Sequence, residues 1–413
     1  MKNAPACLKT DSLASYMPAG SSVLVQGCSG ESASLARAVQ GLGPSAGAMS
    51  VTGIFVPGLN RAGWLPNAES KMTTFFMTPE LRRLGDVVTF LPLCYQDILG
   101  FLRRLPIQAA LFMVAPPDLQ GVCSFGTTVD FLAELWPQIP VRIAQINPSM
   151  PRTNGHHGIP FREFTAYFEE DSPLPGMADE GIDDVAAAIG AAIAAYVPNG
   201  ATLQTGLGRI PGAMLRALKQ HQNLRIHSGL IGDAVLDLAE AGALAGDTPV
   251  TAGVAIGSPR LYKAVADPLF SFRPVSHTHD LSVIAQLRNL VTVNSALSVD
   301  LFGQAYAELT PRGLMSGPGG ASDFARGAKA GGGLRIVALP ASAGEVSRIV
   351  PPGGGAGPVS LGRMDIDIVV TEYGAADLRG LCHDARAAAL VNIAAPDHRE
   401  MLAAAWHLYA KQF

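Results

Sequence analysis

The chain has little charge, no paired cysteines and no long apolar run, and each shortage excludes a class of protein. Charged residues make up 15% of its 413 residues, against about 25% in an ordinary globular protein. The net charge is −4 and no run of Lys or Arg occurs, which argues against a nucleic acid or an anionic membrane as partner. The five cysteines include no Cys-x-x-Cys pair, so neither a disulfide framework nor a zinc knuckle is indicated. We expect a cytoplasmic protein.

The apolar segments are too short for a membrane protein. The longest apolar run, 185–197, cannot span a bilayer and predicts an alanine-rich buried helix. The N-terminus lacks the apolar core of a secretion signal. The low fraction of charged residues also implies that much of the surface is buried against another molecule. Contacts between subunits are the simplest explanation. We therefore expect a homo-oligomer, either a dimer or a tetramer.

Short β-branched runs alternate with helical patterns along the whole chain. This alternation is typical of parallel sheets with crossover helices and predicts an α/β fold in both halves. A helix is predicted at Ser32–Leu42. The predicted strands are Ser22–Gln26, Ser50–Val56, Asp86–Leu91, Ala109–Val114 and Val141–Gln145 in the first half, and Thr202–Thr205, Leu224–His227, Thr251–Ile256, Leu290–Asn294, Leu334–Leu339 and Ile366–Thr371 in the second.

The length of the chain suits two domains, because a single domain of this size is uncommon and two of about 150 to 200 residues are ordinary. Gly155–Ile182 is rich in Pro, Gly and acidic residues and has little apolar periodicity, which predicts a linker. We place the boundary near Gly181, which gives domains 1–180 and 181–413.

Three segments of the second half end predicted strands and open toward helices, the position at which open α/β sheets place ligand sites. In the first, 203–213, Gly206 and Gly208 let the backbone pass close to a ligand, and Pro211 suits the first turn of a helix. A plain strand-to-helix turn explains the same pattern.

The second segment, 316–328, contains Gly317, Gly319 and Gly320. Successive small residues can aim several backbone N–H groups at one oxygen, which predicts an oxyanion hole. A tight turn with Asp323 as a helix N-cap is the simpler interpretation, and both can hold together.

In the third segment, 371–380, Glu372 leaves a hydrophobic strand beside Tyr373. Such an acid is either a structural hydrogen-bonding group or a catalyst.

These segments occur in order with other familiar stretches, and together they resemble the acetyl-CoA hydrolase/transferase family, a branch of the class I coenzyme A transferases of the 4-hydroxybutyrate CoA-transferase type. The first half resembles the family more loosely, at Val23–Ala38 and Val114–Gly126. The similar stretches of the second half are Leu203–Leu215, Arg225–Asp233, Asn294–Glu308, Ser316–Ala328, Ser347–Val350 and Val370–Gly380.

The resemblance implies two similar α/β domains with parallel or mixed sheets and an active site in the cleft between them. It implies an acyl-CoA substrate, a carboxylic acid as possible acceptor, no permanently bound cofactor and no metal. Gly317, Gly319 and Gly320 are implied to polarise the thioester carbonyl. The implied substrate and CoA site comprises Gly206, Gly208, His227, Ser228, Gly229, Asp323, Phe324, Tyr373 and Gly374.

One position departs from the family in a way that affects the chemistry. In the family a glutamate after a His-Ser pair attacks the acyl-CoA carbonyl, whereas here the residue after His227 and Ser228 is Gly229. A glycine has no side chain with which to attack. Ser298 and Ala395 also differ from the side chains usual in the family.

Cys28, Glu31 and Glu372 are the candidates to replace the missing glutamate. Cys28 would be a nucleophile if helix-terminal N–H groups lowered its pKa, although buried, inert cysteine is the commoner outcome. Glu31 is either a general base or an acid favoured by the helix dipole. Asp233 is expected to cap the helix 234–242.

The remaining histidine motif, His277-x-His279, would place two imidazoles on one face if it were a strand. Because no third ligand cluster is evident, no metal site is predicted.

Four functions remain. The first is CoA transfer or thioester hydrolysis by another residue or by a water molecule in the room that glycine opens. The second is another acyl-CoA reaction on the same scaffold, such as decarboxylation or lyase chemistry. The third is a non-catalytic acyl-CoA-binding protein, and the fourth, a sugar-phosphate isomerase, is disfavoured by the CoA-transferase motifs.

Overall fold

The computed structural model describes residues 5–8, 10–177, 181–310 and 313–411. The chain divides into two compact units. The first unit comprises Met1–Ala178 and Thr251–Thr278, and the second comprises Asp179–Val250 and His279–Phe413. The domain bounds taken from the sequence, 1–180 and 181–413, stay a prediction. The two compact units differ from these domains mainly because residues 251–278 belong to the first unit.

A parallel sheet of eight strands lies in the first unit. Every neighbouring pair of its strands is parallel. Ala109–Val114 is buried along its whole length, as expected for a parallel strand that is covered on both faces. The five strands predicted in this half are confirmed with small shifts of their ends. In spatial order the strands are Ala6–Cys7, Ala166–Glu169, Val141–Ile146, Ala109–Val114, Ser22–Val25, Ser50–Gly53, Lys71–Thr74 and Val88–Phe90.

The predicted linker Gly155–Ile182 is wrong for part of its length. Ala166–Glu169 is a strand that pairs with Val141–Ile146, and Ala166 is fully buried. The segment becomes a strand through this pairing, because its own residues show little apolar periodicity. Residues 178–180 of the predicted linker lie outside the described part of the chain.

The first unit carries short helices and smaller strand pairs beside the sheet. Ala33–Gly41 confirms the helix predicted at Ser32–Leu42, and Ser32 Oγ accepts a hydrogen bond from the N–H of Leu35 at 3.0 Å, a typical N-cap. The other helices are Pro79–Arg83, Tyr95–Arg104, Leu132–Leu135, Pro259–Ala264 and Val275–Thr278. The smaller pairs are Val122–Cys123 with Ile159–Pro160 and Phe270–Phe272 with Asn154–Gly155.

The second unit contains a mostly parallel sheet. Its strands, in spatial order, are Gly374–Asp377, Ile368–Thr371, Leu334–Ala338, Leu290–Ser295, Thr202–Gln204 and Arg225–Ile231. The pair Ile368–Thr371 and Gly374–Asp377 is antiparallel, and the others are parallel. Apart from Gly374–Asp377, which was not predicted, these strands and Val250–Ala255 confirm the strands predicted in the second half.

Helices of the second unit connect and cover these strands. They are Asp184–Ala194, Arg209–Ala217, Asp233–Glu240, Leu281–Ile284, Ala321–Ala330, His383–Asn392 and Arg399–Ala410. Asp184–Ala194 confirms the helix predicted from the apolar run. It packs closely on Arg209–Ala217, because a Cβ at Gly190 would lie 2.6 Å from the carbonyl carbon of Ala213. No described helix is both long and apolar enough to cross a lipid bilayer.

Short strands complete the second unit. Ser298–Asp300 pairs with Ala305–Tyr306 and Ile349–Val350. Leu309–Thr310 pairs with Gly313–Leu314, and Ser342–Ala343 with Val346–Ser347.

Two acids predicted as N-caps lie inside helices instead. Asp233 is the first residue of Asp233–Glu240, and the N-cap is Gly232. Asp323 is the third residue of Ala321–Ala330, whose N-cap is Gly320. Both helices begin earlier than the sequence pattern indicates, so these acids contribute through the helix dipole in the first turn.

Candidate functional site

The strand Arg225–Ile231 presents three consecutive predicted site residues. His227 and Ser228 are buried, and Ser228 Oγ donates a hydrogen bond to the carbonyl oxygen of Thr205 at 2.7 Å. This bond ties the strand to the loop that follows Thr202–Gln204. Gly229 is half-buried beside them.

His279 fills the space beside Gly229. A Cβ at position 229 would lie 2.5 Å from Cε1 and 2.6 Å from Nε2 of the His279 imidazole. Both distances are too short for non-bonded carbon and nitrogen atoms, so a side chain at 229 and this imidazole cannot both be present as they stand. The expectation that Gly229 opens room for water is therefore wrong at the Cβ position.

Gly320 stands against the same imidazole. A Cβ at position 320 would lie 2.5 Å from His279 Nε2 and 2.6 Å from Cδ2. The ring of Phe324, one helical turn further on, meets the His279 ring edge to face with centroids 5.0 Å apart, and the His227 ring at 6.3 Å. We call His227, Gly229, His279, Gly320 and Phe324 the imidazole cluster.

The electrostatic setting keeps His279 neutral. Its side chain is almost fully enclosed, with 2% of the residue exposed. Burial, with a smaller contribution from His227, lowers the pKa of His279 to about 3. The imidazole is therefore unprotonated at pH 7, because burial disfavours its charged form.

The predicted oxyanion hole lies at the start of the helix Ala321–Ala330. Gly319 has φ +62°, a conformation that glycine adopts without strain. Gly320 is the N-cap, so the first N–H groups of the helix have no intrahelical partner and form a setting for negative charge. Asp323 is buried in this first turn.

The first glycine segment borders a pocket of about 300 Å³ in the second unit. Gly208, at φ +107°, is the N-cap of Arg209–Ala217. The pocket is lined by Arg209 and Arg348 together with apolar residues such as Leu297 and Pro340. Arg209 pairs with Asp183. Two guanidinium groups and a helix N-terminus make this pocket suited to a phosphate or carboxylate.

Glu372 and Tyr373 form the turn of a hairpin and do not lead into a helix as expected, because Gly374–Asp377 pairs back on Ile368–Thr371. Glu372 Oε2 accepts a hydrogen bond from the N–H of Ala341 at 2.8 Å, and its charge acts on Arg348. Tyr373 is 47% exposed.

Tyr373 has a cationic neighbour. The Arg399 guanidinium lies 5.7 Å from the centre of its ring. Gly374, which follows, has φ +128°. Glu372 therefore acts on Arg348, which lines the pocket, whereas Tyr373 contacts Arg399, which is not among the lining residues.

Cys28 and Glu31 lie in the first unit. Cys28 is buried with φ +51°, and its backbone exchanges two hydrogen bonds with the side chain of Asn60. Burial, and then the charges of Asp130 and Glu31, raise the pKa of the Cys28 thiol well above its ordinary value. The lowered pKa that a thiolate nucleophile requires is absent from this setting.

Glu31 is a buried acid. Burial raises its pKa, and Glu31 Oε1 accepts a hydrogen bond from Trp64 Nε1 at 3.3 Å. The raised pKa of Glu31 is compatible with acid-base catalysis, whereas its hydrogen bond to Trp64 is compatible with a structural role.

Asp130 is a perturbed acid that the sequence did not single out. It lines a cavity of about 30 Å³ together with Cys28, and it has φ +34°. Burial raises its pKa to about 8. Among the described residues its Oδ1 has no hydrogen-bond partner. In the sequence Asp130 stands between the apolar residues Val129 and Phe131. This setting indicates that the acid is buried but does not indicate a function.

The histidine motif is not a strand. His277 lies in the helix Val275–Thr278. Within the described ranges, no group of three or more His, Cys, Asp or Glu could hold a metal ion. Sequence reasoning treated His279 only as half of a metal motif and missed its contacts with Gly229 and Gly320, since these depend on three separate segments meeting.

Solved structures define the class of this fold. RipA from Yersinia pestis superimposes with a TM-score of 0.90 at 27% identity, over 98% of both chains. A 4-hydroxybutyrate CoA-transferase from Porphyromonas gingivalis gives a TM-score of 0.81 at 28% identity, over 99% of this chain and 98% of that chain. The fold is that of the two-domain CoA-transferases.

Sequence comparison identifies the family. The acetyl-CoA hydrolase/transferase C-terminal domain matches residues 257–406. The chain is 39% identical over 312 residues to 4-hydroxybutyrate coenzyme A transferase of Clostridium kluyveri, which spans 73% of this chain and 72% of the relative. The chain belongs to the acetyl-CoA hydrolase/transferase family, and it is an enzyme of the CoA-transferase and acyl-CoA hydrolase kind.

Proposed function

We propose that the chain processes acyl-CoA thioesters, by hydrolysis or by CoA transfer to a carboxylic acid, without a carboxylate nucleophile at position 229. The observation that carries the proposal is the imidazole cluster. It joins Gly229, where the family resemblance expects the attacking group, to Gly320, where it expects the oxyanion hole. The site therefore retains a setting for carbonyl polarisation while the attacking carboxylate is absent.

The N-terminus of Ala321–Ala330 supports the first chemical role. A thioester carbonyl placed at Gly319 and Gly320 would receive backbone N–H groups as its oxygen becomes negative. Fixed donors of this kind stabilise the tetrahedral state more than the ground state, because they are already oriented when the charge develops.

The pocket beside Gly208 supports the second role, which is holding the substrate. Coenzyme A is a long molecule with several phosphates. The guanidinium groups of Arg209 and Arg348 offer charge-assisted hydrogen bonds to such groups. Gly206, Gly208 and Tyr373 are proposed to contribute to the same CoA site.

An acyl-CoA panel tests the proposal. The protein is incubated with short acyl-CoAs, with and without acetate, while free CoA, new thioesters and carbon dioxide are followed by mass spectrometry. Release of CoA without acetate supports hydrolysis, and acetate-dependent exchange supports transfer. Release of carbon dioxide without release of CoA would contradict the proposal and indicate a decarboxylase. If no acyl-CoA is consumed while CoA binds, the chain is a non-catalytic binder, and if none binds, the proposal fails altogether.

We also propose that the protein works in the cytoplasm as a homo-oligomer. The low share of charged residues supports a covered surface. Sedimentation equilibrium measures the assembly, and a 43.0 kDa species alone would contradict it.

A further inference from the structure

We propose that a small cavity in the first unit is a binding site for one or two ordered water molecules, held by the carboxyl group of Asp130. The cavity measures about 30 Å³ and is bordered by Asp130, Cys28, Gln26 and Thr128 together with apolar residues. All of its lining residues belong to the first unit. The site is independent of the function proposed above, because no acyl-CoA takes part in it.

The Oδ1 atom of Asp130 is the reason to expect a ligand in this cavity. Asp130 is 5% exposed, and among the described residues its Oδ1 has no hydrogen-bond partner. A polar atom that leaves bulk water without gaining a partner is costly, so buried polar atoms are nearly always paired with protein groups or with ordered water. A water molecule in the adjoining cavity supplies the bond that no described protein group makes.

The backbone on either side of the Asp130 side chain is fixed. The N–H of Val129 donates a hydrogen bond to the carbonyl oxygen of Gly253 at 3.1 Å, and the N–H of Val275 donates one to the carbonyl oxygen of Asp130 at 3.2 Å. Asp130 itself has φ +34°. These bonds tie its left-handed turn to two other segments of the first unit, so the acid is held at the border of the cavity.

Cys28 is fixed at the same cavity in a similar way. It has φ +51°, and its N–H and carbonyl group bond the side chain of Asn60 at 3.2 and 2.9 Å. The other described non-glycine residues with positive φ are Asn223 and Asn289, of a type that tolerates this conformation well. Strained backbone of this kind persists only where the surrounding structure imposes it. The residues that border the cavity are therefore held in place and do not close onto the acid.

Both the size and the lining of the cavity match water. One water molecule needs at least about 10 to 15 Å³ of such space, so a cavity of about 30 Å³ holds one or two. Much of the lining is apolar and includes Ile54, Phe75 and Leu132. An ion would lose its hydration there without enough oxygen ligands to replace it, whereas water is neutral and both donates and accepts hydrogen bonds.

The polar lining offers such a water several partners. Burial raises the pKa of Asp130 to about 8, so at pH 7 its carboxyl group is protonated and can both donate and accept. Thr128 and Cys28 carry a hydroxyl and a thiol with further bonding capacity. The Gln26 amide is engaged elsewhere, since it donates to the Thr128 carbonyl oxygen at 2.9 Å and accepts from the Met113 N–H at 2.8 Å.

A crystal structure of the full chain at pH 6 tests the site directly. One or two electron-density peaks for water are expected in the cavity, the nearest about 2.5 to 3.0 Å from Asp130 Oδ1, which is the ordinary O–H···O distance. A dry cavity, an Asp130 side chain turned onto a protein group, or a solute other than water at Oδ1 would each overturn the proposal. Crystals pressurised with xenon give a second measurement, because xenon enters dry apolar cavities. Xenon beside Asp130 would contradict a hydrated site.

Oxygen-17 magnetic relaxation dispersion counts long-lived water molecules in solution. Asp130→Leu should lose one or two of them, because leucine offers no polar atom, whereas Asp130→Asn should keep them, because the amide retains the size and the hydrogen-bonding groups. Asp86→Asn at an exposed position is the control and should match wild type. An equal count in wild type and Asp130→Leu would overturn the proposal. Leucine tolerates a positive φ less well than Asn, and if Asp130→Leu does not fold, the wild-type crystals decide.

Discussion

The His279 imidazole fills the space that a side chain at position 229 would need. A Cβ added to Gly229 would lie only 2.5 Å from His279 Cε1. The family resemblance expects an attacking carboxylate at position 229, and in this chain an imidazole fills the space beside that position. A side chain introduced at 229 therefore requires the imidazole to move.

Gly229→Ala should destabilise the protein by about 1 to 3 kcal/mol, the usual cost of overpacking a rigid site. The free energy of unfolding in urea measures it. In Gly229→Ala/His279→Ala the loss should be much less than the sum of the two single losses, because the clash is gone. Gly212→Ala, where nothing lies within 4 Å of the added Cβ, is the control. Additive losses would show that the residues do not compete for space.

Gly229→Glu alone should not form a covalent adduct with CoA, since the imidazole blocks the carboxylate from its proper position. The double variant Gly229→Glu/His279→Gly should form the adduct, because the smaller residue frees the space. Intact-protein mass spectrometry after incubation with acyl-CoA distinguishes the two outcomes. An adduct in the single variant would mean that His279 moves aside freely.

His279 should make the protein less stable in acid. Its folded pKa is about 3, and the unfolded value is about 6.5, so the unfolded chain binds the extra proton between these values. Stability is present in full above pH 6.5 and falls as the pH drops, by up to about 1.4 kcal/mol per unit from this group. His279→Gln should remove that part of the slope, whereas His407→Gln should leave it. An unchanged slope in His279→Gln would contradict the enclosed neutral imidazole.

Asp130 should act in the opposite direction. Its folded pKa of about 8 exceeds the unfolded value, which is about 3.9, so the protonated acid favours the folded state. Its contribution is complete below pH 4 and is lost as the pH rises through 8. Asp130→Asn should therefore be more stable than wild type at pH 8 and comparable at pH 4, as measured by urea unfolding. The exposed Asp86→Asn should show no such difference, and a destabilised Asp130→Asn at pH 8 would refute the prediction.

Some elements of the fold could be predicted from the sequence and others could not. Ala109–Val114 was predictable, because a buried parallel strand carries a continuous apolar run in its own residues. Ala166–Glu169 was not, because only its partner Val141–Ile146 makes it a strand. Glu372 follows a strand, as predicted, but the chain then forms a hairpin and not a helix. A turn of two residues is enough to pair Gly374–Asp377 with Ile368–Thr371.

The sequence by itself determined the α/β class, the resemblance to the acetyl-CoA hydrolase/transferase family, and the presence of glycine at 229, because each is written in local runs or in a single letter. Only the tertiary structure decided what that glycine is for. Position 229, position 279 and position 320 lie far apart in the chain, and nothing local to any of them signals the others. Their meeting depends on a sheet and a helix N-terminus enclosing one imidazole, which excludes a side chain at two backbone positions at once.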